Sequence, residues 1–307
     1  MSRFAWSTVS LLIALGLLLT LADAGPHRTQ LLIGLGGFYS MLLAVGSLWP
    51  RLDFYLYAMR RGSVEQPWVA LTFDDGPDPA ITPLLLALLR RERILAAFFF
   101  VGEAARCYPE LVAQAAAEGH LIGNHSDQHG YGWAFSSTQR LFAEFATANQ
   151  TLTAILGDAP RFVRTPVGVS RPDLADVLQR LQLRNIAWDV RGLELLYRDP
   201  DRIAARVAAR ARNGSIILLH EVYYGVRRFE PERMLATAQL TITRLHARGF
   251  RIVRLDHLLE QPAHASARLA PWGALPETGA AVVENHADES VRYCDAATVV
   301  ASRANYS

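Results

Sequence analysis

The sequence predicts an α/β protein, a parallel sheet with helical crossovers, preceded by two transmembrane helices. Three observations carry this. Apolar, β-prone runs alternate with helical patterns along the middle of the chain. The residues able to do chemistry fall at or just after the C-terminal end of such a run, where barrel active sites are built. Two N-terminal segments, 4–22 and 29–50, carry no Asp, Glu, Lys or Arg.

Those two segments come first in the chain, and each is long enough to cross a hydrocarbon core as a helix. Ala22-Asp23-Ala24 has the small-x-small form of a signal cleavage site, which is the alternative for the first segment. The second segment follows almost at once and favours a two-span hairpin; cleaved or not, the chain stays membrane-attached through it. Strand-like runs at 68–73, 96–101, 121–124, 161–165, 185–190, 215–220 and 251–254 then alternate with helical patterns at 82–92, 109–118, 137–156, 172–181, 200–212 and 231–248. Strands alternating with helices imply parallel pairing through right-handed crossovers. Ser170 is read as the cap of the helix that opens at Pro172, and Gly119 and Gly249 stand where helices should stop. The chain divides into an anchor at 1–62, a catalytic domain at 63–260 and a partly disordered, Ala-rich tail at 261–307.

Two short motifs carry the chemistry. Thr72-Phe73-Asp74-Asp75-Gly76-Pro77 ends the first strand-like run, and Gly123-Asn124-His125-Ser126-Asp127-Gln128-His129 ends the third. Side chains alternate along a strand, so adjacent carboxylates diverge inside one; at its mouth, with Gly76-Pro77 turning the chain, both reach one cavity. One carboxylate and two imidazoles form the ligand set of an open divalent-metal site. The second carboxylate is then placed to take a proton from water. Each motif alone has a plainer reading, a solvated turn for the first and a solvated helix face for the second. The two in this order, each after an apolar segment, indicate a metal-dependent hydrolase.

These motifs resemble those of the NodB-type polysaccharide deacetylases, a family of metal-dependent carbohydrate N-deacetylases. The likeness runs from about Pro67 to Glu260. Ala97-Phe98-Phe99-Phe100-Val101-Gly102 is similar to the family's second barrel strand. Arg164-Thr165-Pro166-Val167-Gly168 resembles the third motif, Trp188-Asp189-Val190-Arg191-Gly192-Leu193-Glu194 loosely resembles the fourth, and Ile217-Leu218-Leu219-His220 resembles the fifth. The resemblance implies an irregular (β/α) barrel of about seven strands. It implies that Asp75, His125 and His129 bind a divalent metal, usually zinc, with cobalt or another divalent ion as the alternative. Asp74 would be the general base, His220 the general acid, and Arg164 the partner that orients Asp74. The backbone N–H of Val167 would stabilise the oxyanion. Leu218, Trp188 and Tyr223 would line the sugar site, with Tyr224 as a further stacking residue.

The departures from the family pattern are specific. Val167 stands where the third motif carries an aromatic, which shrinks one wall of the sugar site. In the fourth motif Glu194 is the expected carboxylate partner of His220, while Arg191 is available to read a phosphate or carboxylate. His120 is expected at a helix end or the surface, His246 on a solvated helical stretch, and His257, His264 and His286 lie beyond the motifs. Trp188 has a second reading as core packing.

Composition narrows the classes that remain. The 307 residues carry a formal charge of +2 with no basic tract interleaved with aromatics, so no nucleic-acid partner is expected. Cys107 and Cys294 make no disulfide framework and no Cys-rich metal site. The expected partners are an N-acetylated glycan or lipid-linked sugar and the lipid bilayer, of the bacterial inner-membrane kind. Arg3 before the first span and Arg51, Arg60 and Arg61 after the second put both ends inside, against only His27 and Arg28 between. A cell-wall polymer, the substrate of many relatives, would put the domain outside. Three functions stand: removal of N-acetyl groups from N-acetylated amino sugars of a polysaccharide, oligosaccharide or glycolipid; deformylation or another amide hydrolysis on a lipid-linked sugar; and glycan binding without catalysis.

Overall fold

The computed structural model describes residues 3–260 apart from 22–24, 131, 133–134, 169 and 224–229. Residues 22–24, Tyr224, His264, His286, Cys294 and the tail 261–307 therefore lie outside the described residues. In chain order the elements are α1 (Arg3–Leu21), α2 (Pro26–Leu48), β1 (Trp68–Asp74), α3 (Thr82–Glu92), β2 (Ala97–Phe100), α4 (Gly102–Cys107), α5 (Pro109–Ala117), β3 (Leu121–Asn124), α6 (Thr138–Leu156), β4 (Phe162–Val163), α7 (Leu174–Arg180), β5 (Arg184–Asn185), β6 (Val190–Arg191), α8 (Pro200–Arg210), β7 (Ile216–His220), α9 (Pro231–Ala247), β8 (Arg251–Ile252) and α10 (Leu255–Leu259).

The strands form one curled parallel sheet in the order β5-β4-β3-β2-β1-β7-β6, with β8 also on β1. β1 lies at its centre and is buried on both faces after Trp68, which is why it reads as a near-continuous apolar run. The outer core packs Leu71, Phe73, Phe98, Phe100, Ile217 and Leu219 against α3, α5, α8 and α9. The inner core holds Ala70, Phe99, Phe162, Ile186 and Ile216, and Leu255 and Leu258 of α10 close it from below.

The run expected as one strand at 185–190 is two short ones, β5 and β6, because Ile186 to Asp189 cross the open seam of the sheet instead of continuing the ladder. The segment after α2 is sewn into that seam. Met59 bridges Ile186 and Arg61 bridges Ser215. Met59 N donates to Asn185 O at 2.9 Å and Ala187 N to Met59 O at 2.8 Å, and Gly62 N donates to Gly214 O at 2.9 Å.

Ser170 does not cap a helix. α7 starts at Leu174 with Asp173 as its cap residue, and the Ser170 N–H donates to Ser47 O of α2 at 3.2 Å. Gly119 and Gly249 end their helices with φ of 88° and 79°, a conformation that favours glycine. His120 stands just past the end of α5, its N–H donating to Ala115 O, and is buried rather than at the surface: its Nδ1 accepts from Ala96 N at 3.1 Å, its ring meets Phe98 edge-on, and burial pulls its pKa to about 4. His246 is exposed, as expected.

α1 and α2 are long and apolar enough to cross a membrane, with mean hydropathies of 1.6 and 1.9 over their spans, and almost none of that surface is buried against the protein. They join through a hydrogen bond between Thr8 Oγ1 and Tyr39 OH at 2.6 Å. Phe4, Phe54 and Tyr55 cluster at their base, and Tyr55 OH donates to Leu43 O at 3.0 Å.

Candidate active site

The two-residue period of a strand decides which side chains reach the barrel mouth. Leu71 and Phe73 point to the outer core and Ala70 to the inner one, so Thr72 and Asp74, of Ala70's parity, face inward. On β7 the same period turns Leu218 and His220 inward between Ile217 and Leu219. Asp74 and His220 sit directly opposite each other in the β1–β7 register. Asp75 breaks the alternation with a left-handed φ of 73°, and so enters the cavity beside Asp74. The Gly76–Pro77 peptide that follows is cis.

His125 and His129 leave the end of β3 on a tightly bonded loop, not a helix. Asn124 Oδ1 accepts from Ser126 N at 2.8 Å and Ser126 Oγ from His129 N at 3.2 Å. Asp127 takes both terminal nitrogens of Arg106, at 2.6 and 3.0 Å. Ser126 and His129 adopt φ of 65° and 51°. The loop thus folds both rings over Asp75. Their Nε2 atoms lie 3.1 and 3.2 Å from Asp75 Oδ1, and one ligand atom from each of the three buried residues lies within 4.8 Å of the others.

This donor set fits a divalent cation. His125 Nδ1 sits 2.8 Å from Arg164 O, a carbonyl that only accepts, so this nitrogen carries the proton and Nε2 turns a lone pair to the centre. Burial opposes charge on His125, but Asp74 and Asp75 outweigh it and draw its pKa up; a cation takes the place of that proton. Burial brings His129 down to about 4 despite Asp75, so its ring is neutral near pH 7. Burial works to raise the Asp75 pKa, but His129 and His125 outweigh it and hold the carboxyl below its usual range.

Arg164 is 1% exposed and fully committed. Its Nη1 donates to Asp74 Oδ1 at 2.6 Å and to Thr72 Oγ1 at 2.8 Å. Its Nε and Nη2 reach Ile186 O and Ala187 O at 3.2 and 3.3 Å, and Phe99 lies 4.1 Å under the guanidinium. Burying such a pair is tolerable because each guanidinium nitrogen finds an acceptor.

On the facing side Glu194, 1% exposed, holds His220 in two ways, with Tyr223 supporting both residues. Its Oε2 lies 3.5 Å from His220 Nδ1, its Oε1 accepts from His220 N at 3.2 Å, and Tyr223 OH donates to Oε2 at 3.0 Å while the Tyr223 ring stacks on the imidazole. Burial presses the His220 pKa down, but Glu194 prevails and lifts it to about 9. Burial likewise opposes charge on Glu194, and His220 outweighs it and keeps the carboxyl low.

These residues line one cavity of about 330 Å³ together with Val167, Trp188, Arg191, Leu218 and Tyr223. Val167 lies exposed in a short turn at φ 53°, a strained conformation for a β-branched residue. The cavity is lined by the described residues that the sequence nominates for the site except Arg164, which lies behind Asp74 and reaches the site through it. Trp188 divides its roles, packing on the inner core and lining the cavity at once.

Three supports escape a reading of the sequence. Thr72 joins the Arg164 cluster, Arg106 anchors the histidine loop through Asp127, and buried Glu221 accepts from Thr82 Oγ1 behind Gly76. Thr72 leaves a trace, a polar residue at an inward position of an apolar strand; the other two pairs are separated too far in sequence to be seen.

A family model described as "Polysaccharide deacetylase" matches residues 61–186. The chitooligosaccharide deacetylase of Sinorhizobium fredii is 32% identical over 203 residues, covering 64% of this chain and 94% of that protein. The chain belongs to the polysaccharide deacetylase family. Peptidoglycan-N-acetylglucosamine deacetylase PgdA of Listeria monocytogenes is 30% identical over 190 residues, but the match spans only 38% of that protein's length. Among solved structures, the Bc1960 peptidoglycan N-acetylglucosamine deacetylase superposes with a TM-score of 0.64 at 28% identity, over 70% of this chain and 98% of that one. BA3943 of Bacillus anthracis, a pseudoenzyme of the same fold, superposes at 0.59 with 21% identity over 66% of this chain and 68% of that one, so the deacetylase fold alone does not carry the activity.

Proposed function

We propose that this member of the polysaccharide deacetylase family hydrolyses the N-acetyl amide of amino sugars in a glycan or glycolipid. The observation that carries this is a carboxylate and an imidazole lining one cavity, each held by its own buried partner. Asp74, clamped by Arg164, stands at the end of β1, and His220, lifted by Glu194, stands opposite it on β7. Amide hydrolysis needs a base for water on one side of the carbonyl and an acid for the amine on the other.

Asp75, His125 and His129 would hold the divalent ion, zinc by family habit, which when bound supplies Lewis acidity and makes water a stronger acid. Asp74 Oδ2 takes the proton of the attacking water while Oδ1 stays bonded to Arg164. The Val167 backbone N–H donates to the oxyanion as the carbonyl carbon becomes tetrahedral. His220, protonated below about pH 9, donates to the amine nitrogen as the C–N bond breaks. Trp188, Leu218 and Tyr223 shape the sugar site, and Val167, smaller than an aromatic, leaves it wider at that wall. The same machinery would serve a formamide, so the acyl group is part of the test.

α1 and α2 are read as a membrane hairpin that holds the barrel at a bilayer, where a lipid-linked sugar or a polymer near the surface would be met. The test is acetate and formate release from N-acylated oligosaccharides and polyprenyl-linked sugars, with and without chelator. Chelation should abolish release, and zinc or cobalt restore it. Asp74→Asn should keep its metal, measured by mass spectrometry, and lose about a hundred- to ten-thousandfold in turnover. Asp75→Ala should lose the metal itself; a metal-free Asp75→Ala protein with full activity would sink the proposal.

A further inference from the structure

A second cavity of about 390 Å³ adjoins the catalytic one and shares Thr165, Val167, Trp188, Arg191 and Leu193 with it. Its far wall comes from the exit of α2, where Leu48 and Trp49 are 74% and 62% exposed. Its charged lining is mostly cationic: Arg51, Arg60, Arg191, Arg206 and Arg210, with Arg164 committed to Asp74. Arg60 is held by Asp53, and Arg51 donates to Asp189 O at 3.1 Å. The lining carboxylate, Asp189, gives its Oδ2 to Arg61, Arg212 and Ser215, and its Oδ1 is buried without a hydrogen-bond partner. Arg191, Arg206 and Arg210 enter no ion pair among the described residues, and the Nε of Arg206 is buried there without a hydrogen-bond partner.

Arg206 and Arg210 lie four apart on α8 and so share one face, and Arg191 projects from β6 toward the same space. Like charges at that spacing repel, which costs a helix stability unless an anion stands between them. Burial, then Arg210 and Arg191, push the Arg206 pKa below its ordinary value. Guanidinium forks in this arrangement match the oxygens of a phosphate ester.

We propose that this cavity binds a phosphate ester carried by the substrate, so that the N-acylated sugar it bears extends past Arg191 into the catalytic cavity. The exposed Leu48 and Trp49 at the mouth, where the candidate span ends, suit a phosphate that arrives on a lipid. The site deepens the deacetylase proposal and rests on it for the sugar, but its own chemistry is anion recognition and is testable without turnover.

The experiment uses the full chain in phosphatidylcholine vesicles, metal-loaded, beside the double variant Arg206→Gln/Arg210→Gln. Calorimetry compares N-acetylglucosamine with N-acetylglucosamine 1-phosphate, and acetate release compares a neutral chitooligosaccharide, the soluble sugar phosphate and a polyprenyl phosphate-linked N-acetylglucosamine. The wild-type chain should bind the phosphorylated sugar about tenfold more tightly or better, and the variant should lose that advantage. In turnover the loss should appear as a raised KM for phosphorylated substrates with kcat little changed. A further gain for the polyprenyl form over the soluble one assigns the phosphate to a lipid; equal values assign it to the sugar phosphate alone, and both support the site. Equal wild-type affinity for the two sugars, or an advantage that survives in the variant, overturns it. So does a variant that loses only its attraction to phosphatidylglycerol vesicles, which would give the arginines to the bilayer. If no substrate releases acetate, the deacetylase proposal falls while the binding difference still decides the anion site.

Discussion

His220 and Glu194 show how a single contact sets a working pH. Burial alone would leave the imidazole neutral, and the Glu194 carboxylate reverses that, to about 9. The acid form is then present through neutral pH, and activity should fall as pH rises through about 9. Glu194→Gln removes the raising influence and leaves burial, so this alkaline limb should move at least one unit toward acid in a pH profile of kcat/KM. A limb that stays put would mean that His220 is not the acid or Glu194 not its partner. The linkage carries the same sign: a histidine raised above its unfolded value of 6.5 contributes stability that is complete below that pH and is lost as pH climbs through about 9. Residue types and order nominate Asp74, Asp75, His125 and His129, and the family resemblance adds Arg164 and His220. What could not be read there is the backbone that aims them. Asp75, His129, Val167 and Leu193, all lining the cavity, take positive φ values of 73°, 51°, 53° and 64°. Such conformations are tolerated where the surroundings over-determine them, and no propensity scale reports them.

At the level of elements, the end of β1 depends on how closely β7 can approach the turn that follows it. A Cβ on Gly76 would fall 2.5 Å from Glu221 Oε2, and Glu221 is fully buried. Gly76→Ala should therefore cost about 1–3 kcal/mol in urea unfolding, as overpacked cores do. Burial raises the Glu221 pKa to about 8, so the group is mostly a neutral acid at pH 7. Glu221→Gln should accordingly be mild, within about 1 kcal/mol, whereas a cost like that of Gly76→Ala would show that Glu221 carries a charge the fold needs. The longer elements were legible because their periods are plain: α3 and β3 fall at the expected residues, and β1 and α6 within one. α10, which closes the barrel floor, was missed because five residues give no helical period to detect, and α4 was hidden inside a strand-to-helix connection. Ser170 misled for a related reason: α7 opens only at Leu174, so Ser170 lies outside the first turn that its Oγ would have to cap.

For the molecule as a whole, the sequence shows two membrane-length segments but not which way they face. Basic residues on both outer flanks predict a cytoplasmic barrel. A phosphatase reporter fused after Glu260 should then be inactive and a cytoplasmic reporter at the same point active; phosphatase activity would place the barrel outside and redirect the search to cell-wall polymer. Composition also could not show how the two parts are joined, because the joint is backbone pairing at Met59 and Arg61, whose side chains announce nothing. That stitch has a mechanical consequence. A loose leash of some twenty residues would let a domain wander about 25 Å from its anchor. Here the leash is spent inside the sheet seam, so with the hairpin in a bilayer the barrel mouth stands at one height, like a tool bolted to its bench. It would trim sugars delivered to that height and leave untouched any polymer lying farther from the surface.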